Sequence, residues 1–179
     1  MRPVSLLLVA ALALAACAQP VSTPDASPTI FLLVRHAEKL GGSDPGLTPE
    51  GQARAHALAD VLAHADVDLI VSSQFRRTQA TAAPLAERLS MEVETRDLDL
   101  NDAAGSSAAI ALELAESHAG QTILMVGHSN TIPRIASALT GIPMEDLDER
   151  DYDNLFVVIR EGSTGQLIRT RFGATDPVP

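Results

Sequence analysis

Two imidazoles and at least two guanidiniums stand at the ends of apolar segments in this chain, where they could act together. Arg35-His36 follows one apolar run, Arg76-Arg77 opens a helical pattern just after Ser72-Ser73, and Gly127-His128 closes another apolar run. Each has an ordinary meaning on its own: a solvated loop for Arg35-His36, a hydrogen-bonded structural residue for His128. The arginine pair is less ordinary, because a helix N-terminus favours anions. Basic side chains set against that gradient make sense when an anion sits among them. Guanidiniums grip phosphate oxygens through paired charge-assisted hydrogen bonds. The joint set therefore suits a phosphate monoester.

Such a set needs a scaffold that brings three distant segments together. Residues 29–34 (TIFLLV) form a continuous apolar run, as expected of a strand buried on both faces of a parallel sheet. A helix should follow, with Thr48 as N-cap, Pro49 at its first position and Glu50 in its first turn. Ala55, Leu58, Ala59 and Leu62 recur along it at helical spacing. Further strands are expected at 67–73, 91–95 and 121–128, and further helices at 75–89, 106–120 and 131–141. Residues 154–159 and 166–172 flank REGSTG and predict a hairpin. The alternation predicts a three-layer α/β/α sandwich with a largely parallel central sheet and a C-terminal hairpin. Ligands of such sheets bind beyond the carboxyl ends of strands. That rule selects the same three places as the chemistry.

The first 28 residues stand apart from this pattern. Arg2 precedes an apolar run from Val4 to Ala16 that is short for a membrane span, and the run ends in Leu14-Ala15-Ala16-Cys17. This resembles a bacterial lipobox, which implies a signal peptide over 1–16 and a lipidated Cys17 as the mature N-terminus. Cys17 is the sole cysteine, so it has no intrachain disulfide partner. Each buried methylene of an acyl anchor contributes roughly 0.8 kcal/mol. Residues 17–28 are rich in Pro, Ser and Thr and predict a flexible tether, leaving 29–179 as the folded domain. The expectation is a domain anchored by lipid at the periplasmic face of the cell envelope, with Ala18 favouring the outer membrane. A formal charge of −10 argues against a nucleic-acid partner. It also means that an anion site must be a local concentration of positive charge.

VRHAEK, SSQFRRTQATA and VGHSNT together resemble the three signatures of the histidine phosphatase superfamily, the phosphoglycerate-mutase-like fold. The similarity runs from Ile30 to the final hairpin and includes LTPEGQARAHALA. It implies Arg35 as a phosphate-binding arginine, His36 as the nucleophile, Arg77 rather than Arg76 as the second arginine, and His128 as the second active-site histidine. The implied activity is hydrolysis of a small phosphorylated substrate or a phosphoprotein through a phosphohistidine. Neutral imidazole attacks phosphorus, and water then hydrolyses the adduct. Arg35 and Arg77 should lower the pKa of His36 and keep it neutral, and His128 should donate a further hydrogen bond to the phosphate. No cofactor is implied, and the five histidines show no metal-ligand spacing. The family often supplies the leaving-group proton from a carboxylate after the third strand. Here Asp97, Asp99 and Asp102 are open candidates, and each is equally well read as part of a solvated acidic loop. Glu38 reads as a structural partner rather than the acid. Without an acid, substrates with good leaving groups such as phosphohistidine are favoured over sugar phosphates.

Three rivals are weighed. Ser129 in GHSNT approaches the nucleophile elbow of serine hydrolases. Thr131 replaces its second glycine, however, and all five histidines precede the serine. A phosphoglycerate-type mutase needs insertions that shield the phosphoenzyme from water, and the segment between the second helix and fourth strand is short. A non-catalytic lipoprotein that binds phosphorylated compounds remains the alternative of a different class.

Overall fold

The computed structural model describes residues 27–175. The expected signal peptide, Cys17 and most of the tether lie outside the described residues. Six strands and four helices occur among those described: β1 (Thr29–Arg35), α1 (Pro49–Leu62), β2 (Leu69–Ser73), α2 (Arg76–Leu89), β3 (Val93–Arg96), α3 (Ala103–Ser117), β4 (Thr122–Gly127), α4 (Thr131–Thr140), β5 (Asn154–Glu161) and β6 (Thr164–Arg171). They form one sheet in the order β3-β2-β4-β1-β5-β6. β1 to β4 pair in parallel, whereas β5 runs antiparallel to β1 and β6 antiparallel to β5. The predicted hairpin thus extends the sheet beyond β1.

The apolar strands are explained by two cores, one on each face of the sheet. Successive side chains of a strand point to opposite faces. Phe31 and Leu33 of β1 pack with Ala111 and Leu114 of α3 and with Ile132 and Ile135 of α4. Leu32 and Val34 pack with Leu58 and Leu62 of α1 and with Ala82 and Leu85 of α2. Both faces of β1 are therefore buried, which is why its sequence shows no polar alternation. Each fully buried side chain such as Phe31 or Leu33 contributes about 1.5–3 kcal/mol by leaving water. That anchorage makes the end of β1 a rigid platform.

Local signals set the helix starts. Thr48 caps α1, its hydroxyl accepting from the Gly51 amide at 3.1 Å, a device worth about 1 kcal/mol. α3 begins at Ala103, three residues before the predicted start, because Asp102 caps it by accepting from the Gly105 amide at 2.9 Å. Gly127, where β4 ends, has no room for a side chain. A Cβ there would lie 2.6 Å from Thr131 Oγ1 and 2.9 Å from Ile132 Cδ1. Its absence lets α4 start close against the strand.

Candidate active site

β1 and β4 are parallel neighbours with Arg35 opposite Gly127, so the residues that follow, His36 and His128, leave the sheet side by side. The His36 amide donates to the Gly127 carbonyl at 2.9 Å, carrying the pairing one step past the strands. β2 lies on the far side of β4 and delivers Ser73, after which α2 begins. The topology thus gathers all three segments at one end of the sheet. Arg35, His36, Arg77 and His128 line a single pocket of about 280 Å3 there. Arg76 points away and lines a separate surface groove with Gln79 and Val93.

His36 is only 3% exposed. Its Nδ1 lies 2.8 Å from the Ala37 carbonyl. A carbonyl can only accept, so Nδ1 carries the proton and Nε2 keeps its lone pair. Burial, first, and the charges of Arg35, His128 and Arg77 hold its pKa down to about 3, against a smaller upward pull from the Ala37 carbonyl. The expected effect of the arginines is present, but desolvation is the larger cause. The loop that carries His36 is held from behind: Thr81 Oγ1 accepts from the Ala37 amide at 3.0 Å. Glu38 accepts from Arg54 Nη2 at 2.7 Å and from Nε at 3.0 Å. Glu38 is therefore the structural partner that the sequence implied.

Arg35 is 2% exposed. Its Nη1 donates to the Asp148 carbonyl at 2.8 Å and its Nη2 to Glu149 Oε2 at 3.2 Å. The guanidinium also lies 4.2 Å over the Tyr152 ring. Arg77 stacks 4.3 Å over the Phe75 ring and places Nη2 3.3 Å from His128 Nδ1. The Nε atoms of both arginines are buried without a hydrogen-bond partner. A buried guanidinium N–H left unpaired is costly, and an anion in the pocket would relieve that cost. The site is built for a ligand that accepts hydrogen bonds.

His128 is held by Ser73, whose Oγ lies 2.9 Å from Nε2. Its ring stands edge-on to His36 with centroids 5.4 Å apart. Burial, then Arg77 and Arg35, lower its pKa to about 4. The sequence implied that His128 donates to phosphate, but its Nδ1 faces Arg77 Nη2 and is an acceptor. Donation from that atom requires the ring to carry a second proton.

The candidate acids after β3 are not in the pocket. Asp102 is the α3 cap, Asp99 Oδ1 accepts from the Asn101 amide at 2.9 Å, and Asp97 is exposed. The alternating residues Leu98 and Leu100 face the pocket instead, with Ala103. Gln74 fixes this arrangement, accepting from the Leu98 amide at 3.0 Å and donating to its carbonyl at 3.2 Å. The carboxylate that does line the pocket is Glu149, on the strap between α4 and β5. Sequence gave no signal for it beyond a general acidity of that strap. Lys39 also lines the rim. Tyr152, whose ring lies under the Arg35 guanidinium, is the only tyrosine of the chain. Ser73, four residues before Arg77, lies within SSQFRRTQATA, and nothing in that motif marks it as the partner of His128.

The model of the histidine phosphatase superfamily (branch 1) matches residues 31–107. Residues 31–107 of this chain thus resemble the histidine phosphatase superfamily, a likeness that extends over less than half of its length. The match covers Arg35, His36 and Arg77, and the fold supplies His128. An uncharacterized protein of Mycobacterium tuberculosis is 42% identical over 80 residues, which are 40% of this chain and 39% of that protein. Phosphoserine phosphatase 1 of Hydrogenobacter thermophilus is 38% identical over 75 residues, 37% of this chain and 36% of the relative. The similarity thus spans less than two fifths of the length of these curated relatives. Among solved structures, mycobacterial glucosyl-3-phosphoglycerate phosphatase superposes with a TM-score of 0.61 at 20% identity, over 84% of this chain and 100% of that one. The likeness in fold and the site geometry are consistent with the match over residues 31–107.

Proposed function

We propose that this protein is a phosphatase that hydrolyses small phosphate monoesters, or phosphohistidine, through a phosphohistidine on His36. The observation that carries this reading is the His36 ring: buried, neutral, anchored through Nδ1, with Nε2 free beside two arginines that each hold an unpartnered Nε. Nε2 attacks phosphorus while Arg35 and Arg77 hold the equatorial oxygens and offset their charge. The apolar wall of Leu98, Leu100 and Ala103 faces the leaving group. It favours compounds with an apolar or small neutral remainder over polyanions, as does Glu149 on the rim.

Brief exposure to a labelled phosphomonoester should leave acid-labile, base-stable phosphate on the protein. The label should be absent from His36→Ala and present, in lower amount, on His128→Ala. Binding with neither trapped label nor turnover would leave the non-catalytic reading standing. We further propose that Cys17 carries a lipid anchor that places the domain at the periplasmic face of the envelope. Support comes from the Leu14-Ala15-Ala16-Cys17 sequence alone. The Cys17→Ala protein should then leave the membrane fraction, and its retention there would refute the anchor.

A further inference from the structure

The two histidines of the site are held in opposite tautomers. His36 donates from Nδ1 to a carbonyl, so its free atom is Nε2. Arg77 can only donate, so His128 Nδ1 at 3.3 Å must accept, and the ring proton resides on Nε2. Nε2–H then donates to Ser73 Oγ at 2.9 Å. Ser73 in turn is within 2.9 Å of Thr78 Oγ1, whose hydroxyl reaches the Phe75 carbonyl at 2.8 Å. Every member of this chain has one donor role and one acceptor role that agree. The reverse tautomer would set Nδ1–H against the N–H of Arg77 with no acceptor between them.

Two lone pairs therefore face one pocket, His36 Nε2 and His128 Nδ1. A dianionic monoester brought against both would meet a repulsive acceptor at the second. The conflict disappears if one proton enters with the substrate and settles on Nδ1. The charged groups around His128 are Arg77 of α2, Arg35 and His36 at the end of β1, and two carboxylates acting through the arginines, Glu149 of the strap on Arg35 and Asp44 of the loop after β1 on Arg77. Lys39 stands on the rim. α4 contributes the neutral Thr131, whose hydroxyl accepts from the His128 amide at 2.8 Å. The cations disfavour a proton on His128 while the site is empty, and a bound phosphate dianion offsets them.

Resting on the phosphatase reading above, we propose that Ser73 fixes the His128 tautomer so that Nδ1 carries the reaction's mobile proton, the task that no carboxylate after β3 is placed to perform. Substrate binding loads Nδ1. His36 Nε2 then forms a bond to phosphorus, the bond from phosphorus to the leaving oxygen breaks, and that oxygen takes its electron pair and the Nδ1 proton. The products of this half are the alcohol, phospho-His36 and neutral His128. In the second half water attacks phosphorus and Nδ1 takes its proton. The phosphorus–nitrogen bond breaks, returning the pair to Nε2 and releasing hydrogen phosphate. Ser73 is a positioning residue in this scheme, and His128 is the catalytic one.

Three measurements test it. In protein labelled with 15N-histidine, without ligand near neutral pH, the signals lost in His128→Gln should show a proton coupled to Nε2 and none to Nδ1. The opposite tautomer, or a mixture of the two, would overturn the proposal whether or not the protein is active. Calorimetric titration with phenylphosphonate, at a pH where it is a dianion, in buffers of different ionisation enthalpy should show uptake of close to one proton per ligand. Uptake should fall to less than half of that in Ser73→Ala, and zero uptake by the wild type would overturn the proposal. Finally, His128→Gln should lose about 30-fold or more additional turnover on an alkyl phosphate than on p-nitrophenyl phosphate, since acid catalysis is worth about 10²–10⁴-fold only where the leaving group needs a proton. Equal losses on both would assign His128 to phosphate binding alone. The first result stands even if no phosphoenzyme can be trapped, so failure of the proton scheme and failure of the phosphatase reading are separable.

Discussion

At the exit of β1 a histidine is fixed by the carbonyl of the very next residue, whereas at the exit of β4 a histidine is fixed by a serine 55 positions away. The two rings sit on adjacent parallel strands, and both are buried. Their anchors nonetheless leave different atoms free, and so different work. A contact to the next peptide group depends on local backbone geometry and survives small shifts of the sheet. A contact from β2 across to β4 depends on the register of two strands and the start of α2. His36 is thus held by the sturdier device, and His128 by one that tertiary packing can tune.

The sharpest break between the two should come from deletion. On the proposed chemistry His36→Ala removes the attacking atom and should lower kcat by about 10⁴-fold or more, while His128→Ala should cost about 10²–10³-fold, as expected for loss of one oxygen contact and of the base that takes the proton of water. Steady-state kinetics on p-nitrophenyl phosphate measures both, and equal losses would mean that the rings share one role. Acid stability should separate them next. Both rings bind a proton less readily folded, at about 3 for His36 and about 4 for His128, than at the ordinary value of 6.5. Stability is therefore complete above 6.5 and falls as pH drops, by roughly 1.4 kcal/mol per pH unit for each ring. The loss from His128 should end near 4 and that from His36 continue towards 3. Denaturant melts of the wild type and of His36→Asn and His128→Asn would show the slope reduced in each variant, and an unchanged slope would discount the burial argument. The smallest effect lies on the β1 side alone. Glu149 is 82% exposed and lies 3.2 Å from Arg35 Nη2, an ion pair with an exposed partner worth at most about 1 kcal/mol. Glu149→Gln should lower KM for a phosphomonoester by about two- to five-fold, and a higher KM would make the carboxylate a substrate contact instead.

Much of this arrangement was legible in the chain because its causes are local. The buried strands, the Thr48 cap and the hairpin follow from patterns within a dozen residues, whereas the choice of Arg77 over Arg76 comes from the family resemblance. Arg35, His36, Arg77 and His128 converge as the strand-end rule requires. The features that escaped depend on which way a side chain turns after a strand ends. Leu98 faces the pocket and Asp97 does not, because Gln74 grips the Leu98 backbone from both sides. Nothing near Asp97 announces that. Asp102 has the composition of a catalytic candidate and the position of a cap, and the hydrogen bond to Gly105 decides between them. Glu149 reaches Arg35 from 114 positions away.

β1 has a further consequence, for orientation. The strand enters the sheet at Thr29 and delivers its histidine after Arg35, seven residues on and about 20 Å away. Ser27 therefore lies at the end of the domain opposite the pocket. An attachment made through that end would not itself cover the mouth of the pocket. A bulky substrate would approach from the open side without passing the point of attachment.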